Sequence, residues 1–152
     1  VGAITAGTFD GGYTLEPPGS VMRKNGVGRT VEAGLISKYI LGNPKANGYA
    51  AGTVITQEFA KTKPDVAKRF VNGWAKAIEF IKANPDEARK YLVGNTLTPP
   101  DIAPLIPMVG FTMTRDLTPE NVAEFQKFID FSSDNKILSE KVDVKKFLIK
   151  FD

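Results

Sequence analysis

The chain has 152 residues, 42% of them hydrophobic, with a formal net charge of +3. A domain of this size buries about 70% of its unfolded surface, so one good core is within reach. Neither cysteine nor histidine is present, which excludes disulfides, thiolate metal sites and thiol nucleophiles and removes the commonest acid–base side chain near neutral pH.

Lys and Arg alternate with Asp and Glu and form no basic patch with interleaved aromatics, so nucleic acid is not an expected partner. No apolar run approaches the roughly 20 residues of a membrane span. Val1-Gly2-Ala3-Ile4 lacks a basic n-region and a cleavage site, so the start does not read as a signal peptide.

Val1 to Ala6 reads as the tail of a helix closed by Gly7. Thr8 to Leu15 has the look of a short strand, with Gly11-Gly12 where a backbone or ligand comes close, and Glu16-Pro17-Pro18-Gly19 stops it. Ser20 to Lys24 forms a helical turn or two, broken by Asn25-Gly26. Arg29 to Glu32 is another candidate strand, and Leu35 to Leu41 is ambiguous between strand and helix. After turns at Gly42-Asn43-Pro44 and Asn47-Gly48, Tyr49 to Ile55 reads as a buried strand rich in small residues. A short helical segment then starts at Thr56.

The clearest punctuation lies between Thr62 and Leu92. Pro64 and Asp65 suit a first helical turn. Val66, Phe70, Trp74, Ile78 and Ile81 recur every three or four residues, which predicts a broad buried face with Trp74 in the core. Asn84-Pro85-Asp86-Glu87 restarts the pattern as N-cap, N1 proline and acidic first turn, with Ala88, Tyr91 and Leu92 inward and Gly94 at C′. Thr98-Pro99-Pro100-Asp101 opens a helix kept short by Pro104 and Pro107, and Val109 to Thr114 reads as extended. Thr118-Pro119-Glu120 opens a long helix with Val122, Phe125, Phe128 and Ile129 on one face; a last short helix opens near Asp143. Strands early and helices late predict an α/β or α+β domain with little sheet of its own.

The ordered set Ala6-Gly7-Thr8-Phe9-Asp10-Gly11-Gly12, Glu16-Pro17, Lys63-Pro64-Asp65-Val66-Ala67-Lys68-Arg69-Phe70, Trp74-Ala75-Lys76-Ala77 and Ala83-Asn84-Pro85-Asp86-Glu87-Ala88 resembles the second half of substrate-binding proteins of the nitrate, sulfonate and taurine group of ABC importers. The resemblance covers nearly the whole chain and implies an α/β class: part of a type II periplasmic binding protein fold, helix-rich with a few short strands. Residues 1–16 would end one lobe and form a hinge strand, residues 17–152 would be the C-terminal part of the other, and the chain would be a fragment of a longer two-lobed protein. It implies capture of a small solute, anionic in the manner of nitrate, sulfonate or taurine, in the periplasm or another extracytoplasmic space. Its partners would be a membrane permease and either a missing N-terminal half or a second copy. No enzyme activity, cofactor or metal is expected.

Asp10, Gly11, Gly12 and Tyr13 either line the solute cleft, with the glycines admitting it to the backbone, or serve a tight strand end. Glu16-Pro17 resembles the family's hinge, its acid bonding across lobes or meeting a cationic group on the solute; an exposed turn is the plain alternative. Thr53 and Thr56 offer hydroxyls to an oxyanion, or cap local structure. Two other functions stay open: an enzyme like the thiamine-precursor synthases, whose chemistry uses histidine, and a helical interaction domain.

Overall fold

The computed structural model describes residues 1–49 and 51–151. It corrects the expected class. Helices account for 53% of the chain, and no strand is present among the described residues, so this is not an α/β periplasmic binding fold. The physical reason is pairing. A strand exists only through backbone bonds to a neighbouring strand. Thr8–Leu15, Arg29–Glu32 and Val109–Thr114 have strand-like composition, but none of them pairs with another segment. The same holds for Tyr49 and residues 51–55; Ala50, within that expected strand, lies outside the described residues.

The helices largely begin where the punctuation places them. Helix α1 (Gly2–Thr5) closes through Gly7 at φ +70°, and α2 (Pro18–Lys24) is followed by Gly26 at φ +68°. Those left-handed values suit residues without a Cβ. The ambiguous Leu35–Leu41 segment resolves as a π-helical turn over Ile36–Ile40. Helix α3 (Gln57–Thr62) starts at Thr56, whose hydroxyl accepts from the Phe59 amide at 3.1 Å. Helix α4 (Pro64–Ala83) and α5 (Pro85–Asn95) follow, α5 running through Gly94 instead of stopping before it. Asn84 does not cap α5 with its side chain; its amide donates back to the Phe80 carbonyl at 3.2 Å. The Thr98–Asp101 signal yields only a 3₁₀ turn at Ala103–Leu105. Helix α6 (Pro119–Asp134) opens with a reciprocal capping box between Thr118 and Asn121. A 3₁₀ turn at Val144–Phe147, capped by Asp143, stands where the last helix was expected.

The chain divides into two units, and α4 begins in one and ends in the other. The first holds residues 1–31 and 76–111. There α5 packs against the Ala103–Leu105 turn, and Ile78, Ile102, Ala103, Thr98 and Ser20 are buried. The second holds residues 32–75 and those from Thr112 onward. In it α6 packs against the π-helical turn and the Val144–Phe147 turn, with Leu41, Ala46, Ala67, Ala75, Ser132 and Val144 buried.

Both cores are thin. Among the described residues, Ser20 is the largest side chain less than 2% exposed. The expected inner face of α4 is only partly covered. Ile78 is 7% exposed, whereas Trp74, expected in the core, is 38% exposed and Phe70 44%. Tyr91 is also exposed, packing edge-on against Phe80 at 6.2 Å. Helical period identifies which side chains share a face; it does not supply the surface that covers them.

Candidate functional site

Two adjacent stretches carry the candidate residues, and they differ sharply. From Thr8 to Leu15 every residue is exposed. The chain bends at Thr8 and Asp10 and then continues without regular structure from Gly11 to Leu15. Among the described residues, the amides from Phe9 to Thr14 donate to no backbone carbonyl. A Cβ added at Gly11 or Gly12 would meet nothing within 4 Å. Asp10 and Tyr13 therefore flank an open, unobstructed stretch of backbone, with Tyr13 64% exposed.

Glu16, at the end of that stretch, is engaged locally. The peptide bond between Glu16 and Pro17 is cis. One carboxylate oxygen, Oε2, accepts from the Ser20 amide at 2.8 Å; the other, Oε1, accepts from Arg23 Nη2 at 2.6 Å. Arg23 also donates to the hydroxyls of Ser20, at 2.7 Å, and Thr30, at 3.1 Å. The buried Ser20 hydroxyl donates onward to the Leu105 carbonyl at 3.3 Å. Partial burial raises the Glu16 pKa, but the hydrogen bonds from Arg23 and Ser20 outweigh it, so the carboxyl sits below its ordinary 4.5. Gly19 makes room for this cluster, since a Cβ there would lie 3.1 Å from Glu16 Oε1.

The cluster ties α2 to the Ala103–Leu105 region, and a Lys24–Asp101 ion pair does the same one turn on. These polar ties, absent from any sequence motif, join residues some 80 positions apart; only the basic end of α2 hinted at them. Thr56 spends its hydroxyl on capping α3, while Thr53 is exposed.

A cleft of about 170 Å³, lined by Ile81, Lys82, Pro85, Met108, Val109, Gly110 and Phe111, lies at the α4–α5 junction. It falls short of the roughly 300–1,000 Å³ of ordinary ligand pockets. No group of three or more metal-ligating side chains occurs among the described residues. No described helix is long and apolar enough to cross a membrane. No family model matches the chain, and no curated protein or solved structure matches it either.

Proposed function

We propose that this chain captures a small solute for import and does no chemistry on it, contributing the Asp10–Tyr13 stretch to the binding site. One observation carries the reading: a glycine pair with open space around it lies between an exposed carboxylate and an exposed phenol. Unpaired backbone amides and the Tyr13 hydroxyl are donors for a sulfonate or similar oxyanion. The Asp10 carboxylate suits an ammonium group. That combination favours a zwitterionic aminosulfonate such as taurine over nitrate. Glu16 acts at one remove, fixing the end of the stretch to α2 through Ser20 and Arg23.

The ordered resemblance to importer substrate-binding proteins motivates this reading at the level of residue order only, since the fold it implies is not the one found, and a sequence without histidine disfavours the thiamine-precursor chemistry. An exposed segment alone cannot enclose a ligand. A second polypeptide completes the site, and a permease receives the solute in an extracytoplasmic compartment. A second reading, a helical interaction domain, is favoured by the uncovered face of α4.

Titration of the ¹⁵N-labelled chain with taurine, an alkanesulfonate and nitrate tests the proposal. Amide shifts confined to residues 9–14, strongest with taurine and lost in Asp10→Asn and Tyr13→Phe, are expected. Shifts elsewhere, or unchanged in the variants, would move the site off this stretch; none with any of the three would leave the interaction-domain reading.

A further inference from the structure

Asparagine is followed by glycine three times, at Asn25-Gly26, Asn47-Gly48 and Asn72-Gly73. Asparagine is a thermolabile residue, because the next residue's amide nitrogen can attack its side-chain carbonyl carbon. Glycine in second place leaves that nitrogen unhindered and the peptide free to turn. An amide already held in a hydrogen bond makes that turn only after a local opening. The structure separates the three pairs on this ground. Gly73 lies inside α4, with its amide committed to the helix's own hydrogen bonds. Gly26 donates to the Arg23 carbonyl at 3.2 Å as α2 closes. Gly48 donates to no backbone carbonyl among the described residues, and residues 47–49 have no regular structure.

The chain around this gap is well held. Just upstream, the Ala46 amide donates to the Asn43 carbonyl at 2.9 Å, and the Ala46 carbonyl accepts from the Ser37 hydroxyl at 2.8 Å. The Asn47 amide donates to Glu124 Oε2 of α6 at 3.3 Å, and Tyr49 packs on Phe125 at 5.8 Å. All these contacts lie within the second unit. Packing also calls for glycine at 48, since a Cβ there would lie 3.2 Å from Ile36 Cγ2 and 3.3 Å from the Ser37 hydroxyl. We propose that Asn47-Gly48 is a site of spontaneous deamidation, and that its product weakens the hold of α6 on this turn. The Gly48 nitrogen gives up its proton to water and bonds to Asn47 Cγ. The Cγ–Nδ2 bond breaks and ammonia leaves, closing a succinimide. Water then opens the ring at Cγ, giving aspartate, or at the Asn47 main-chain carbonyl carbon, giving isoaspartate. Either product places a carboxylate on the residue whose amide Glu124 holds, and like charges this close repel. Isoaspartate also lengthens the backbone by one carbon, moving Gly48 off Ile36 and Ser37. None of this depends on a solute.

Peptide mapping by mass spectrometry of the full chain, aged at mildly alkaline pH with and without denaturant, tests the site. In the folded chain Asn47 should convert about tenfold or more faster than Asn25 or Asn72, the factor that an opening cost of about 1.4 kcal/mol imposes. In denaturant the three pairs should react at comparable rates. Folded-state conversion of Asn25 or Asn72 as fast as that of Asn47 would overturn the proposal. So would an Asn47 that survives in the folded chain while the denatured chain reacts. Conversion lowers the formal net charge of +3 by one, so ion exchange separates the product from the parent. The product should melt below the parent near neutral pH, and Asn47→Asp should reproduce part of that loss. Glu124→Gln keeps an acceptor for the Asn47 amide but removes the repulsion, so Asn47→Asp should cost less in that background. A product that melts like the parent, or an Asn47→Asp loss identical in both backgrounds, would overturn the coupling to α6.

Discussion

Helices α4 and α6 have similarly clear apolar periods, yet the structure treats them differently. Helix α6 is tied to its surroundings by side chains. Gln126 donates to the Val142 carbonyl and accepts from the Val144 amide, at 2.8 and 2.9 Å, and Lys127 donates to the Leu41 carbonyl at 2.5 Å. Its apolar residues Val122, Phe125, Phe128 and Ile129 are all half-buried, with Phe125 packed against Tyr49 at 5.8 Å. Along α4, by contrast, no side chain from Pro64 to Ala83 enters a hydrogen bond or ion pair among the described residues. Half of its apolar face lacks cover. Among the described residues, α4 is held through its buried Ala67, Ala75 and Ile78 and by no polar side chain of its own.

The sharpest test of that contrast is on α4 itself. Ile78→Ala, at a buried position, should cost about 2–5 kcal/mol, whereas Trp74→Ala should stay below the roughly 3–5 kcal/mol typical of a fully buried aromatic. Denaturant melts measure both. Equal losses at the two positions would mean that Trp74 is as well covered as Ile78.

On α6 the expected loss is polar. Gln126→Ala removes the acceptor of the Val144 amide, and Val144 is only 4% exposed. A buried donor left without a partner costs about 1–3 kcal/mol. Native-state hydrogen exchange should show the Val144 amide losing protection selectively. Unchanged protection would show that the bridge is not what holds the 3₁₀ turn to α6. At the helix start, Thr118→Ala deletes one arm of the capping box and should cost about 1 kcal/mol. A melt indistinguishable from the parent would place the stability of α6 entirely in its packed face.

The helices were legible because their signals are local. Proline at the first helical position and a period near 3.6 need only neighbouring residues, and α4, α5 and α6 begin where these fall, α6 with the Thr118 hydroxyl before its proline as well. The strands were misread because pairing is not local. Thr8-to-Leu15 and Tyr49-to-Ile55 have suitable compositions, but composition cannot supply a neighbouring strand. Trp74 was misplaced for a related reason, since periodicity marks a face without showing its cover. At the candidate site, the openness of Gly11-Gly12 follows from residue type, while the commitment of Glu16 to Arg23 and Ser20 required the structure.

That commitment repeats the contrast on a smaller scale, between bare residues 8–15 and the stitched turn beginning at Glu16, and pH can test it. The Glu16 carboxyl has its pKa lowered in the folded chain relative to 4.5, despite the opposing effect of partial burial. A group of this kind stabilises the fold fully above its unfolded pKa, and the contribution fades as pH falls through the folded value. Glu32, bonded to Lys38 and Tyr39, and Asp101, bonded to Lys24, are lowered as well and fade in the same direction. The parent's acid sensitivity therefore belongs to several groups, and a difference measurement is needed to isolate one. Glu16→Gln keeps an acceptor for the Ser20 amide but loses the charge facing Arg23. The melting temperature of the parent should exceed that of the variant near neutral pH, and the gap should narrow below about pH 4.5 as Glu16 protonates. A gap that stayed constant through the acid range would mean that the Arg23–Glu16 charge pair adds nothing to the turn, leaving the Ser20 hydrogen bonds to hold it.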